Sequence, residues 1–178
     1  VLGLVAVAAA ALLLLMVLAR RRRSTDLQAR FGPEYTRAVD TLGDKRSAES
    51  ALEARAKRVE KMSIRPLEAA ERDRFTQSWQ AAQARFVDEP TRAVTDASGL
   101  VKEVMLARGY PVGDFEQRAA DVSVDHPAVV SNYRAAREIA QKNEGGRAST
   151  EDLRQAMVHY RALFQELLQT MPEKELAG

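Results

Sequence analysis

The sequence predicts an all-α protein: an N-terminal transmembrane helix followed by a bundle of four to five helices. Three observations predict it. Val1 to Ala19 carries no charge, and Arg20 to Arg23 follow at once. Beyond the arginines, apolar residues recur at threes and fours, the helical period. No stretch alternates at period two for long enough to make a strand, and Val122 to Val124 is too short.

The apolar stretch comes first. Nineteen residues at a helical rise cover about 28 Å, close to the hydrocarbon thickness of a bilayer. Leu12 to Leu15, Met16, Val17 and Leu18 form its strongest block, and Ala8 to Ala11 are small and helix-favouring. A secretory signal places its basic residues before the apolar run and a small-residue cleavage site after it. Here the basic cluster follows the run, and Leu18-Ala19-Arg20 is a poor cleavage site. A buried core helix normally keeps a polar face, whereas this stretch is apolar all round. Residues 1–23 are therefore expected to be a membrane anchor with a basic stop-transfer flank. Positive flanks stay on the cytoplasmic side. The expected topology is single-pass in the inner membrane, with the N-terminus out and the C-terminal domain in the cytoplasm. Arg20, Arg21, Arg22 and Arg23 also attract anionic lipid, at about 1 kcal/mol per residue near the surface.

Charge narrows the partners. The chain carries 27 basic and 25 acidic residues. Setting aside Arg20 to Arg23 leaves 23 against 25, a balance of −2, so the basic excess belongs to the anchor. The rest of the chain has no net drive towards DNA or RNA, and no nucleic-acid partner is expected. The absence of cysteine excludes disulfides, thiol catalysis and thiolate metal sites. Arginine outnumbers lysine 21 to 6, a usage associated with GC-rich bacterial genomes.

Residues 24–32 read as a juxtamembrane link that can extend the membrane helix, and 33–171 as one helical domain with a core of its own. Gly32-Pro33 breaks the link, and Pro33 suits a first helical turn. From Glu34 to about Met62 the pattern predicts one long helix, on Tyr35, Ala38, Val39, Leu42, Ala48, Leu52, Val59 and Met62. Lys45, Arg46 and Glu49 interrupt its apolar stripe. Arg65-Pro66 ends it, because the residue before proline avoids the helical region. A second helix spans Glu68 to Phe86, with Phe75, Trp79, Ala82 and Phe86 on one stripe. A third runs from about Thr91 to Arg108 and buries Val94, Ala97, Leu100, Val101, Val104 and Met105. Gly109 stands where a C-terminal glycine cap belongs. A short helical turn is expected from Phe115 to Asp121. Asp125 then caps a helix through Val130, Tyr133, Ala136, Ile139 and Ala140, which stops at Glu144-Gly145-Gly146. Ser149 caps the last helix, whose apolar face is Leu153, Ala156, Met157, Tyr160, Leu163, Phe164 and Leu167. Residues 172–178 form a tail.

Few groupings suggest chemistry. His126 and His159 match no metal-ligand spacing, so no metal and no cofactor are expected. His159 reads as an ordinary helix residue and Trp79 as core. Ser123, Ser131 and Ser149 lack a nucleophile elbow, and Gly145-Gly146 follows a helix rather than a strand. No catalytic residue is assigned. Asp114, Glu116, Asp121 and Asp125 are carboxylates expected to face water. The segment Arg108 to Pro127 is the candidate site nonetheless. It fixes its shape with Gly109, Pro111, Gly113 and Pro127, and it gathers Arg108, Tyr110, Asp114, Glu116, Arg118, Asp125 and His126. Such a mixture suits recognition of a partner, since loops on a rigid scaffold carry function. The competing reading is a structural corner in which Arg118 pairs with a carboxylate.

Four stretches point the same way: Arg30-Phe31-Gly32-Pro33-Glu34-Tyr35; Arg108-Gly109-Tyr110-Pro111-Val112 with Asp114 to Asp121; Ser123-Val124-Asp125-His126-Pro127; and Ser149-Thr150-Glu151-Asp152-Leu153-Arg154. Together they resemble an uncharacterised group of small membrane-anchored helical proteins of high-GC, actinobacterial-type bacteria. The resemblance implies an anchored helical protein and brings no catalytic residues. The expectation is a non-enzymatic scaffold or partner-binding domain at the cytoplasmic face, with the bilayer and another protein as partners. The alternatives are an extracytoplasmic envelope-binding domain and an unrecognised ligand-binding enzyme.

Overall fold

The computed structural model of the chain describes residues 2–111 and 113–169, with side chains from residue 11 onward. The expected tail, 172–178, lies outside the described residues. Among the described residues there are eight helices and no strand. The chain divides into two compact units, Val1–Glu53 and Ala54–Gly178, a division that falls inside the 33–171 span.

In the first unit, α1 (Leu2–Phe31) is a single 30-residue helix. The expected link at 24–32 is therefore helical up to Gly32. Leu12 to Leu18 are seven consecutive apolar side chains, each 46–64% exposed. Among the described residues no helix is long and apolar enough to cross a membrane. The span read from the sequence draws on residues 1–10, whose side chains lie outside the described residues. Beyond the arginines α1 acquires a buried face at Ser24, Leu27 and Phe31. Gly32 ends it with φ +48, and Pro33 opens α2 (Pro33–Leu42), as the Gly-Pro pair predicts.

The long helix expected from Glu34 to Met62 is instead two. Gly43 adopts φ +76 and its N–H closes on the Val39 carbonyl, ending α2. Asp44 then accepts from the Ser47 N–H at 2.9 Å and starts α3 (Lys45–Val59). A left-handed glycine followed by an aspartate is a stop signal and a start signal in succession. The apolar spacing runs unbroken across it, which is why periodicity alone misses it. Lys45, Arg46 and Glu49, which seemed to interrupt a stripe, are the opening turns of a new helix. Tyr35 and Ala38 of α2 and Ala48 and Leu52 of α3 are buried.

The second unit holds the last turn of α3 and five further helices: α4 (Ala69–Arg85), α5 (Pro90–Ala107), α6 (Phe115–Asp125), α7 (Pro127–Glu144) and α8 (Thr150–Gln169). Helices α4 to α8 share one core, so seven helices follow α1 where four or five were expected. Helix α8 packs on both α5 and α7, α4 lies on α5, and α6 lies on α7. Trp79 of α4 stacks on Phe164 of α8 with ring centroids 4.6 Å apart, a core position as read from its stripe. Ends follow the sequence cues. Glu68 and Glu71 form a capping box for α4. Ser149 Oγ accepts from the Asp152 N–H at 3.1 Å while Asp152 Oδ2 accepts from the Ser149 N–H at 2.9 Å. Gly109 closes α5 with φ +96, and a Cβ there would lie 2.4 Å from the Ser63 carbonyl oxygen.

Candidate functional site

The corner from Arg108 to Pro127 joins the end of α5 to the start of α7. Its folding is local at first. Asp114 caps α6 by accepting from the Gln117 N–H at 2.8 Å. Helix α6 then continues to Asp125, past the short turn expected to stop at Asp121. Asp125 is accordingly the last residue of α6 and does not cap α7. His126 occupies the cap position between the two helices with no side-chain capping bond. The reason lies in the pairing of Asp125: its Oδ2 accepts from the Tyr110 hydroxyl at 2.8 Å, so the carboxylate is turned to the loop instead of forward along α7.

Two polar clusters result. The first is Arg108, Tyr110, Asp125 and His126, joined by Glu166 from α8. Arg108, Tyr110 and His126 are each at most 2% exposed. The Arg108 guanidinium donates through Nη1 to the Leu167 carbonyl at 3.1 Å and through Nε to the Arg65 carbonyl at 3.3 Å. In return the Arg65 N–H donates to the Arg108 carbonyl at 2.9 Å. A cation on the last carbonyls of α8 is favoured by the helix dipole as well as by the hydrogen bond. His126 Nε2 lies 3.5 Å from Arg108 Nη1, and its Nδ1 lies 3.2 Å from Glu166 Oε1. Arginine only donates. One neutral tautomer therefore suits both neighbours, with Nδ1–H donating to Glu166 and Nε2 accepting from Arg108.

Electrostatics agree with that tautomer. Burial pushes the His126 pKa down; Glu166 raises it and Arg108 lowers it, and burial prevails. Burial also lowers the pKa of Arg108 and raises that of Tyr110, the latter reinforced by the Asp125 charge. Tyr110 remains a phenol that donates, and His126 is held neutral.

The second cluster surrounds Asp121, which is 1% exposed rather than facing water. Its Oδ1 pairs with Arg58 and accepts from Gln117 Nε2 at 3.1 Å. Among the described residues Arg118 pairs with no carboxylate. Its Nε donates to the Tyr133 hydroxyl at 3.2 Å and its Nη1 to the Gly113 carbonyl. The buried carboxylate of this cluster, Asp121, is paired with Arg58 instead. Glu116 is exposed and bound to Arg134 at 2.6 Å. Asp114 and Glu116, with Arg55 and Arg58, line a shallow cleft of mixed charge.

The seven candidate residues thus separate. Arg108, Tyr110 and His126, all buried, form one clasp with the half-buried Asp125. Arg118 belongs to the other cluster, and only Asp114 and Glu116 face outward. The sequence reading missed Arg58, Arg65, Tyr133 and Glu166. Each reaches the corner from another part of the chain, and no local pattern marks it. Among the described residues no three His, Asp or Glu side chains converge in a way that would hold a metal ion. His159 sits half-buried, with Nδ1 2.9 Å from Asn132 Oδ1. No protein-family model matches the chain, and no curated protein or solved structure is significantly similar to it.

Proposed function

We propose that the protein is a single-pass inner-membrane protein whose helical domain serves as a partner-binding scaffold on the cytoplasmic face. The observation that carries this reading is α1. Seven exposed apolar side chains in succession, Leu12 to Leu18, are followed after Ala19 by four arginines. Uncovered apolar surface of that extent marks a membrane or an interface, and the positive-inside rule favours the cytoplasmic side for the basic stop.

A scaffold is favoured over a ligand-binding enzyme by the clasp. His126, the residue best suited to acid–base work, is 2% exposed and packed against Arg108, Tyr110 and Glu166. Its carboxylate neighbours are committed to partners within the fold. Arrangements of this kind fix helix geometry, and a stable helical body at a membrane suits the display of a binding surface.

The absence of cysteine makes topology directly measurable. Val87, 83% exposed after α4, is the position for a single Val87→Cys substitution. The reading expects the protein to stay in the membrane pellet after carbonate extraction. It also expects the cysteine to resist an impermeant maleimide in intact spheroplasts and to react after permeabilisation. Release by carbonate would remove the anchor. Labelling in intact spheroplasts would put the domain on the other side, as an envelope-binding module.

A further inference from the structure

We propose that the first unit contains a headgroup site for an anionic phospholipid, built between the arginine flank and the start of α3. The proposal rests on the membrane reading above and gives it a specific ligand.

A 390 Å³ cleft opens between these two elements. Arg20, Arg21 and Arg23 line it from α1, and Lys45 and Arg46 line it from α3. Ser24 and Glu49 complete the wall. Part of this charge is internally matched. Arg23 pairs with Glu53, and Lys45 lies 3.9 Å from Glu49. Glu49 also accepts from the Tyr35 hydroxyl at 2.9 Å, which holds it against the wall. Arg20, Arg21 and Arg46 remain, three guanidinium groups without an ion pair among the described residues, converging from two helices.

Guanidinium forks match phosphate oxygens in geometry and are weakly hydrated, so they suit phosphate recognition. A basic flank alone would attract any anionic surface. This arrangement differs because Arg46 and Lys45 lie far along the chain and are brought to the flank by the fold. The source of the phosphate follows from position. Arg20 is the second residue after Leu18, where the exposed apolar run ends, so the cleft sits at headgroup depth if α1 is in lipid. The occupant is therefore a lipid such as phosphatidylglycerol.

The test uses the full chain in mixed micelles containing equal phosphatidylglycerol and phosphatidylcholine, with retained lipid read by native mass spectrometry. The parent protein should keep phosphatidylglycerol preferentially. Lys45→Gln with Arg46→Gln should lower that preference by about thirtyfold, the loss of two cations near a charged surface. Arg30→Gln with Arg37→Gln removes the same charge outside the cleft and should change it by less than about threefold. Far-ultraviolet dichroism checks that both variants stay helical. Three results would overturn the site: no lipid preference in the parent, equal loss in both variants, or inorganic phosphate captured in the absence of anionic lipid with the same dependence on Lys45 and Arg46. Carbonate extraction of the parent reads the anchor independently, so failure of the anchor and failure of the headgroup site give different results.

Discussion

Acidification should loosen the clasp through His126, and the effect has a defined sign and window. His126 is 2% exposed and its folded pKa lies below the ordinary value of 6.5. Above pH 6.5 the imidazole is neutral in folded and unfolded chains alike, and it contributes nothing to pH dependence. Below 6.5 the unfolded chain takes up a proton that the folded chain refuses. Stability then falls as pH falls, at up to about 1.4 kcal/mol per pH unit, until the depressed folded pKa is reached. By pH 5.5 the loss amounts to about 1.4 kcal/mol at most. The geometry explains the refusal. A protonated ring would aim Nε2–H at the Arg108 guanidinium 3.5 Å away, donor against donor, while gaining only charge attraction to Glu166 and Asp125. The carboxylates Glu71 and Glu151, held down to about 2 in the folded chain, lose their contribution from the ordinary 4.5 downward, below this window. The assay is urea denaturation of the detergent-solubilised chain between pH 7.5 and 5, followed by Trp79. As the sole tryptophan, buried against Phe164, Trp79 reports the core. His126→Gln supplies a side chain that does not titrate and should flatten the curve between pH 6.5 and 5. Parallel curves for parent and variant, or a parent that gains stability on acidification, would refute the reasoning. The second outcome would mean that the Glu166 pairing outweighs burial.

Other substitutions probe the fold through different physics. Gly109→Ala should cost at least about 2 kcal/mol, because φ is +96 and the new Cβ meets the Ser63 carbonyl; Gly99→Ala, mid-helix in α5 with open space around its Cβ, should gain about 0.5–1 kcal/mol. Opposite shifts in thermal midpoint would bear out the pair, and a shared sign would not. Tyr110→Phe removes the donor to Asp125 without changing the packing, and calorimetry should show a loss of about 1–2 kcal/mol. Ser149→Ala breaks a reciprocal cap at the start of α8 and should cost about 1 kcal/mol, read as earlier amide exchange in its first turn.

How far the sequence reaches depends on the range of the interaction that decides each feature. The all-α class and most of the helix ends in the second unit are legible, because period, proline starts and glycine stops act within a few residues. Gly109, Ser149 and the stripe holding Trp79 behave as local rules require. The split at Gly43-Asp44 is also written locally. It is hidden because the apolar period continues through it, so a start-and-stop reading finds what a periodicity reading passes over.

The candidate corner divides in the same way. Its position and its rigidity follow from Gly109, Pro111, Asp114 and Pro127. Which of its polar residues face inward does not, because that is set by groups on other helices. Glu166 and Leu167 of α8 turn Arg108 and His126 inward, and Arg58 of α3 pairs with the buried Asp121. A buried polar group must find its partner wherever the fold offers one, and sequence spacing carries no record of that choice. The sequence by itself determined that the chain is helical, that its first nineteen residues are apolar and that four arginines follow them. Only the tertiary structure decided that the polar corner is a clasp between helices, and that Lys45 and Arg46 meet the arginine flank. Both depend on contacts between helices remote in the chain, which form only once the helices pack.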